Sequence, residues 1–203
     1  MTTKERILEK SLQLFNEQGV DNVTVRTIAS ELGISHGNLC YHFPNTDAII
    51  ERLYDQLVER LNVGIDGISA LPALTMGLLR QLSRLSFELL YEYRFLLRDF
   101  AGIMRRIPVL ADRHRALLKR RKESFRFILG QMRAYGWYKP KPYEGYDEHL
   151  LEQLFIIGDF WLSSADVLYQ GPETKKIDHY LSIFQALLIP MFTDKGVAVW
   201  NEA

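Results

Sequence analysis

The sequence predicts an all-α protein of about nine helices, with a three-helix helix-turn-helix domain in front of a larger helical domain. Three observations carry that reading. Apolar residues recur at helical spacing along the whole chain, and no segment of useful length alternates as a half-buried strand does. Ala29, Gly33 and Leu39 stand in the order a helix-turn-helix needs. The last two helical stretches are apolar on more than one face, as a central core or an oligomer interface requires.

The first helix is marked by Leu8, Leu12 and Phe15, with Ile7 and Leu14 beside them and Gly19 as its stop. Thr24 caps a second helix carrying Val25, Ile28, Ala29 and Leu32, which Gly33 closes. Ser35 caps a third that ends near Phe43-Pro44. Asn45 or Thr46 opens a fourth, through Ile49, Ile50, Leu53, Leu57 and Leu61 toward Gly67. Pro72 suits the first turn of a fifth, reaching Tyr91. A sixth covers Tyr93–Arg106, and Pro108 opens a seventh through Arg133. After the loop from Gly136 to Pro142, two apolar helices cover Asp147–Tyr169 and Glu173–Thr193, divided by Gly171-Pro172.

Composition narrows the classes. The chain has 203 residues, 47% apolar and 25% charged, in the range of ordinary globular proteins. The first residues lack the apolar core of a signal peptide, and no apolar run approaches membrane-spanning length. Cys40 is the single cysteine, which rules out an intrachain disulfide and fits a reducing, cytoplasmic setting. The zero net charge conceals an asymmetry. Ten basic residues stand between Arg98 and Arg126, against Asp99, Asp112 and Glu123, and ten acidic residues lie between Tyr143 and the end. The two excesses are expected to pair with each other or sit in solvent, with the arginines around Arg105, Arg106, Arg113 and Arg115 answering Asp47, Asp55, Glu59 or the acidic helices. A contact of this cluster with nucleic acid is the alternative.

Ala29 lets the two motif helices approach, Gly33 turns the chain, and Leu39 faces inward, with Ile28, Leu32 and Ile34 filling the interior. Ser35, His36, Asn38 and Tyr41 then point outward, a set suited to base edges and phosphates in a major groove. The histidines show no metal spacing, and no phosphate-cradling loop or nucleophile elbow occurs, so neither metal, cofactor nor catalytic residue is expected. Cys40 reads as a half-buried small hydrophobe, or as an oxidisable thiol if it borders the groove.

Residues 4–53 resemble the N-terminal domain of the tetracycline-repressor (TetR) family. The resemblance rests on Arg6–Phe15, Gly19, Val23–Ala29, Leu32–Ser35, Gly37–Phe43 and Asp47–Ile50, above all on Tyr41-His42-Phe43 just before a new helix. It implies a homodimeric regulator, usually a repressor, of double-stranded operator DNA, with residues 1–47 binding DNA and 48–203 binding an effector and dimerising. DNA would be met by Arg26 and Thr27, by Ser35, His36, Gly37, Asn38, Tyr41 and His42 of the third helix, and by Thr46. For a two-fold dimer the half-sites lie about 34–36 Å apart, or a multiple of that, on a near-palindromic operator.

The sequence departs from the family pattern at Cys40, Pro44 and Thr46, where groups that reach phosphate usually stand. Residues 1–47 also carry six acids against four bases. Binding is therefore expected to lean on backbone amides and helix N-termini and to depend weakly on salt. The effector pocket is expected among Phe87, Tyr91, Phe95, Phe100, Met104, Phe125, Phe127, Met132, Phe160 and Trp161, and to suit an apolar or aromatic molecule. The dimer interface is expected at Leu154, Ile157, Trp161, Tyr180, Phe184, Leu187 and Met191. Two other classes compete: an all-α enzyme or carrier with a vestigial motif, for which the acidic N-terminal domain argues, and a helical adaptor using its C-terminal helices.

Overall fold

A computed structural model describes residues 1–68, of which 64–68 as backbone alone, and 74–202. Among them the chain forms eleven α-helices, and the one pair of extended residues is an isolated bridge between Tyr138 and Phe192. The predicted opening of the fifth helix at Pro72 lies outside the described residues.

Helices α1 (Thr3–Gln18), α2 (Val25–Leu32) and α3 (His36–His42) form the N-terminal head. Their starts are written locally. Thr2 and Glu5 form a capping box at α1, Thr24 and Thr27 form one at α2, and Ser35 Oγ accepts from the Asn38 amide at α3. Asn45 Oδ1 accepts from the Ala48 amide, so Asn45 rather than Thr46 caps α4 (Thr46–Ile68). Ile7, Phe15, Ile28, Leu39, Ile49 and Ile50 are fully buried between these four helices. Their core continues without a break through Leu53 and Leu57 of α4 to Phe95, Leu96, Trp161 and Leu162 in the body.

The body is built from α5 (Met76–Glu92), α6 (Arg94–Arg98), α7 (Phe100–Arg106), α8 (Pro108–Ala134), α9 (Tyr146–Leu168), α10 (Lys176–Ala186) and α11 (Asp194–Glu202). Two differences from the sequence reading have identifiable causes. The expected helix Tyr93–Arg106 is two helices, because the backbone leaves helical geometry at Asp99. Ser163 of α9 donates to the freed carbonyls of Leu97, at 2.9 Å, and Arg98, so the break is stabilised from across the fold. The expected helix Glu173–Thr193 stops at Ala186, since Pro190 lacks the amide a continuing helix needs. Extended chain at Phe192–Thr193 then pairs with the loop after α8, through Lys139 N to Met191 O at 2.8 Å and Thr193 N to Trp137 O at 3.0 Å. That clip starts α11, which the sequence reading missed.

A second, smaller core lies around the C-terminal half of α8 and the start of α9, with Leu129, Met132, Leu150, Leu151 and Leu154. Phe184 of α10 packs against both cores. The seam between them is not filled.

Candidate DNA interface and ligand cavity

The head presents α3 on a rigid base. Gly33 lies at φ 64°, ψ 31°, in the left-handed region where a side chain is costly, and ends α2. Its amide bonds to Ser30 O and that of Ile34 to Ala29 O, the reciprocal pattern that closes a helix and aims the next one. Leu39 is fully buried and Ala29 nearly so. Leu32 and Ile34 pack half-buried against the same core. Ser35, His36, Gly37, Asn38 and Tyr41 are exposed on the opposite face, and Tyr41 is 85% exposed, an unusual position for a large aromatic ring. A Cβ added at Gly37 would meet nothing in the protein, so packing gives no reason for a glycine there.

Other predicted residues have duties inside the protein. The Thr27 hydroxyl is occupied at the start of α2, accepting from the Thr24 amide at 2.9 Å, while Arg26 is exposed beside it. His42 is half-buried, and Cys40 is half-buried with Sγ 3.4 Å from His36 Nε2. Thr46 Oγ1 accepts from Arg106 at 3.1 Å. With Asp21, Thr24, Pro44 and Asn45 these two residues line a groove of about 290 Å³, flanked by the N-termini of α2 and α4. Helix N-termini with free amides favour anions such as phosphate.

Arg106 also answers the acidic surplus of the head. Its guanidinium lies 2.7 Å from Asp47 and 3.5 Å from Asp21, although the nearer carboxylate oxygen of Asp47 is not aligned for a hydrogen bond. Arg113 on α8 pairs with Glu51 and Asp55 of α4, both at 3.2 Å. Glu59 pairs with Arg52 of its own helix instead. Arg106 and Arg113 therefore hold α4 against the body, while Arg115 pairs with Asp112 of its own helix.

A third tie is buried. Tyr54 of α4 is 4% exposed, and burial pushes its phenol well above the ordinary range, so it keeps its proton. Its hydroxyl is hydrogen-bonded to His114 Nδ1 at 3.1 Å, and His114 Nε2 is hydrogen-bonded to the Asp159 carboxylate at Oδ2, also at 3.1 Å. Asp159 in turn lines a cavity of about 120 Å³ at the seam of the two cores, enclosed by α5, α8, α9 and α10. Its wall is formed by Leu82, Phe87, Leu118, Phe125, Leu154 and Phe184 with their neighbours.

Of the ten residues expected around a pocket, Phe87 and Phe125 line this cavity and Met132 lines a smaller space adjoining it. Phe95 is instead buried against Phe15, with ring centroids 5.1 Å apart. Trp161 fills the core between Phe87, Tyr91 and Tyr180. Phe127 and Phe160 face solvent, and Phe100 and Met104 lie half-buried on α7, outside the cavity wall. Helical spacing names the apolar faces and cannot say which of them meet with a gap. The cavity also holds Arg121 and Asp159, charges a purely apolar pocket would lack. Arg121 was legible, because it interrupts the apolar row Leu118, Phe125, Ile128, Met132 at helical spacing.

The expected dimer residues also move inward. Leu154, Trp161, Tyr180 and Met191 are buried within the protomer, Ile157, Phe184 and Leu187 are half-buried, and Leu154 and Phe184 belong to the cavity wall. The exposed stripe of α9 is Ile156, Phe160 and Val167, followed by Leu168, with Ile183 and Ile189 beyond. Both faces of these helices are apolar, so the pattern alone does not distinguish the inner from the outer.

A capped helix-turn-helix with a polar outer face, tied through one long helix to a cavity-bearing helical body, defines a class: the helix-turn-helix transcription regulators. Residues 7–53 match the model of the bacterial regulatory proteins of the tetR family, and residues 47–199 match a model described as bacterial transcriptional repressor. The chain belongs to the tetR family of DNA-binding transcriptional regulators. It is 33% identical over 57 residues to the class D tetracycline repressor protein of Escherichia coli, a match covering 28% of this chain and 26% of that one. The chain thus spans about a quarter of that relative's length. A TetR-family transcriptional regulator from Marinobacter aquaeolei VT8 shares the fold with a TM-score of 0.87 and 24% identity, over 100% of this chain and 98% of that one. A protein from Saccharomonospora viridis solved in complex with choline has a TM-score of 0.70 and 18% identity, over 94% and 97% of the two chains. Among the described residues, no helix is long and apolar enough to cross a membrane.

Proposed function

We propose that this protein is a homodimeric repressor that binds a near-palindromic operator through α3 and is released when a small molecule enters the cavity between α5, α8 and α9. The observation that carries the reading is the run of contacts from cavity to head: Asp159 to His114 to Tyr54, on the helix that begins at the end of the head. His36, Gly37, Asn38 and Tyr41 meet base edges and backbone, and Arg26 and the N-termini of α2 and α4 meet phosphates. Two copies join through the exposed stripe Ile156, Phe160 and Val167, which sets the distance between the two heads. The protein acts by binding and population shift, without catalysis.

Selection of operators from random duplexes by the full chain tests the first part. An inverted repeat with half-site centres about 34–36 Å apart, or a multiple, is expected. Failure to enrich any duplex removes the reading. Tyr54→Phe tests the wiring: operator affinity without ligand stays within about twofold, while the ligand's effect on it falls by about tenfold, a coupling change of the usual allosteric size. An unchanged ligand effect would remove Tyr54 from the path.

A further inference from the structure

Arg121 stands on the apolar face of α8 and lines one end of the cavity beside Asp159 and Leu118. Its Nε and Nη2 are buried and have no hydrogen-bond partner. Burial lowers its proton affinity and the Asp159 carboxylate opposes that change, but a guanidinium stays charged in either case. A buried cation with two unpaired N–H groups is costly to hold, and the neighbouring Asp159 carboxylate offsets its charge without taking up either N–H.

The other polar groups at this end are engaged. Ser83 and Ser86 each donate to the carbonyl one turn back on α5, at 2.8 Å, and Asp159 accepts from His114. The two free donors therefore belong to Arg121, and they are the side-on pair that matches the two oxygens of one carboxylate. Away from Arg121 the wall is hydrocarbon and aromatic. The cavity shares Leu79, Ser83, Phe125, Ile128 and Phe184 with a second space of about 50 Å³, which ends among Met132, Leu188, Phe192 and Trp200, with Gln185 its polar neighbour. Along α8 this tract runs about 16 Å from Arg121 to Met132, at 1.5 Å per residue. One end offers a charge-assisted fork and the rest offers apolar surface.

We propose that the ligand is an amphiphilic monoacid, its carboxylate paired side-on with Arg121 and its hydrocarbon body laid along α8 toward Met132. The inference rests on the ligand-responsive reading above and names the chemical class of the effector. A neutral ligand leaves the fork unpaired, a cation meets Arg121 directly, and a second negative charge meets Asp159 with no partner. The free cavity is well below the volume of about 300–1,000 Å³ usual for ligand sites, so binding favours an expanded body. The head group arrives beside Asp159, at the start of the contacts that lead to α4.

Titration calorimetry of the full chain with decanoate, decanol and decylamine below their micelle concentrations tests this, with no DNA present. Decanoate binds, and decanol and decylamine bind at least about tenfold more weakly, the lower end for a hydrogen bond to a charged group. Arg121→Met removes the preference, so that acid and alcohol bind alike, and a cooperative melt of the variant checks that it is folded. Arg121→Lys keeps part of the preference, as a point charge without the fork. Equal binding of acid and alcohol by the parent, a preference that survives Arg121→Met, or no binding of decanoate at millimolar concentration would each overturn the proposal. Operator selection is a separate measurement. If it succeeds while the acid preference is missing, the regulator reading stands and the Arg121 assignment falls. If it fails while the preference is present, the reverse holds.

Discussion

The head and the cavity region draw on the same residue types and are stabilised in opposite ways. In the head, α1, α2, α3 and the start of α4 each carry a side-chain cap within a few residues, and the interior holds Ile7, Ile28, Leu39 and Ile49 with no exposure. In the body, α6 to α10 begin without a side-chain cap. Their ends are held by distant groups, such as Ser163 on the Leu97 carbonyl and the chain clip at Phe192. The body also leaves a cavity whose wall carries two buried guanidinium nitrogens, Arg121 Nε and Nη2, without hydrogen-bond partners. A reading surface has to keep one shape, which local caps and full packing provide. A responsive body needs a second arrangement close in free energy, and gaps and unpaired groups keep the two close.

The largest effect should come from testing packing directly. Leu39→Ala in the head is expected to cost about 2–5 kcal/mol in urea unfolding and to abolish operator binding, whereas Leu82→Ala on the cavity wall costs less than about 2 kcal/mol. Equal costs would break the contrast between the regions. Next is the Arg133–Asp147 pair that joins the end of α8 to α9, with two hydrogen bonds at 2.7 and 2.9 Å. Burial alone would raise the Asp147 carboxyl, but Arg133, followed by Lys141, brings it below its ordinary value. A depressed folded-state pKa means the stabilisation is complete above the unfolded value, near 3.8, and is lost as pH falls through the lower folded value. Asp147→Asn should cost about 2 kcal/mol at neutral pH and remove part of the acid-induced loss seen in the parent.

The smallest effects separate the regions most sharply. Gly158 lines the cavity and Gly37 lies on the exposed face of α3, and an added Cβ meets no protein atom at either. Each Gly→Ala change should stabilise its helix by about 0.5–1 kcal/mol, measured as a raised melting temperature. Gly158→Ala should leave operator binding intact and weaken the ligand. Gly37→Ala should weaken operator binding and leave the ligand alone, since only DNA would occupy the space the methyl takes. If Gly37→Ala stabilises the protein and binds operator as before, the face of α3 is not the reading surface.

The head was legible from Ala29, Gly33 and Leu39, because caps, a left-handed turn and an inward leucine act within a few residues of one another. The same legibility held for Arg106 and Arg113, whose partners Asp47 and Asp55 were foreseen as acids needing bases. It failed where apolar faces had to be matched to each other. Trp161 and Phe184 look alike as apolar helix residues, yet one fills the core and the other borders the cavity. Arg121 was counted with a basic run by its charge, although its place in the apolar row of α8 was the signal of its inward position.

By itself, then, the sequence determined the helical class and most of the helices, the caps and turns of the head, and the outward set Ser35, His36, Asn38 and Tyr41. These follow from backbone conformation and from contacts between near neighbours in the chain. Only the tertiary structure decided that Asp99 and Pro190 divide two long helices in the packed body, that α9 and α10 turn one apolar face inward and one outward, and that Arg121 faces a gap. Those outcomes depend on which distant surfaces meet, and on whether the side chains that meet fill the space between them.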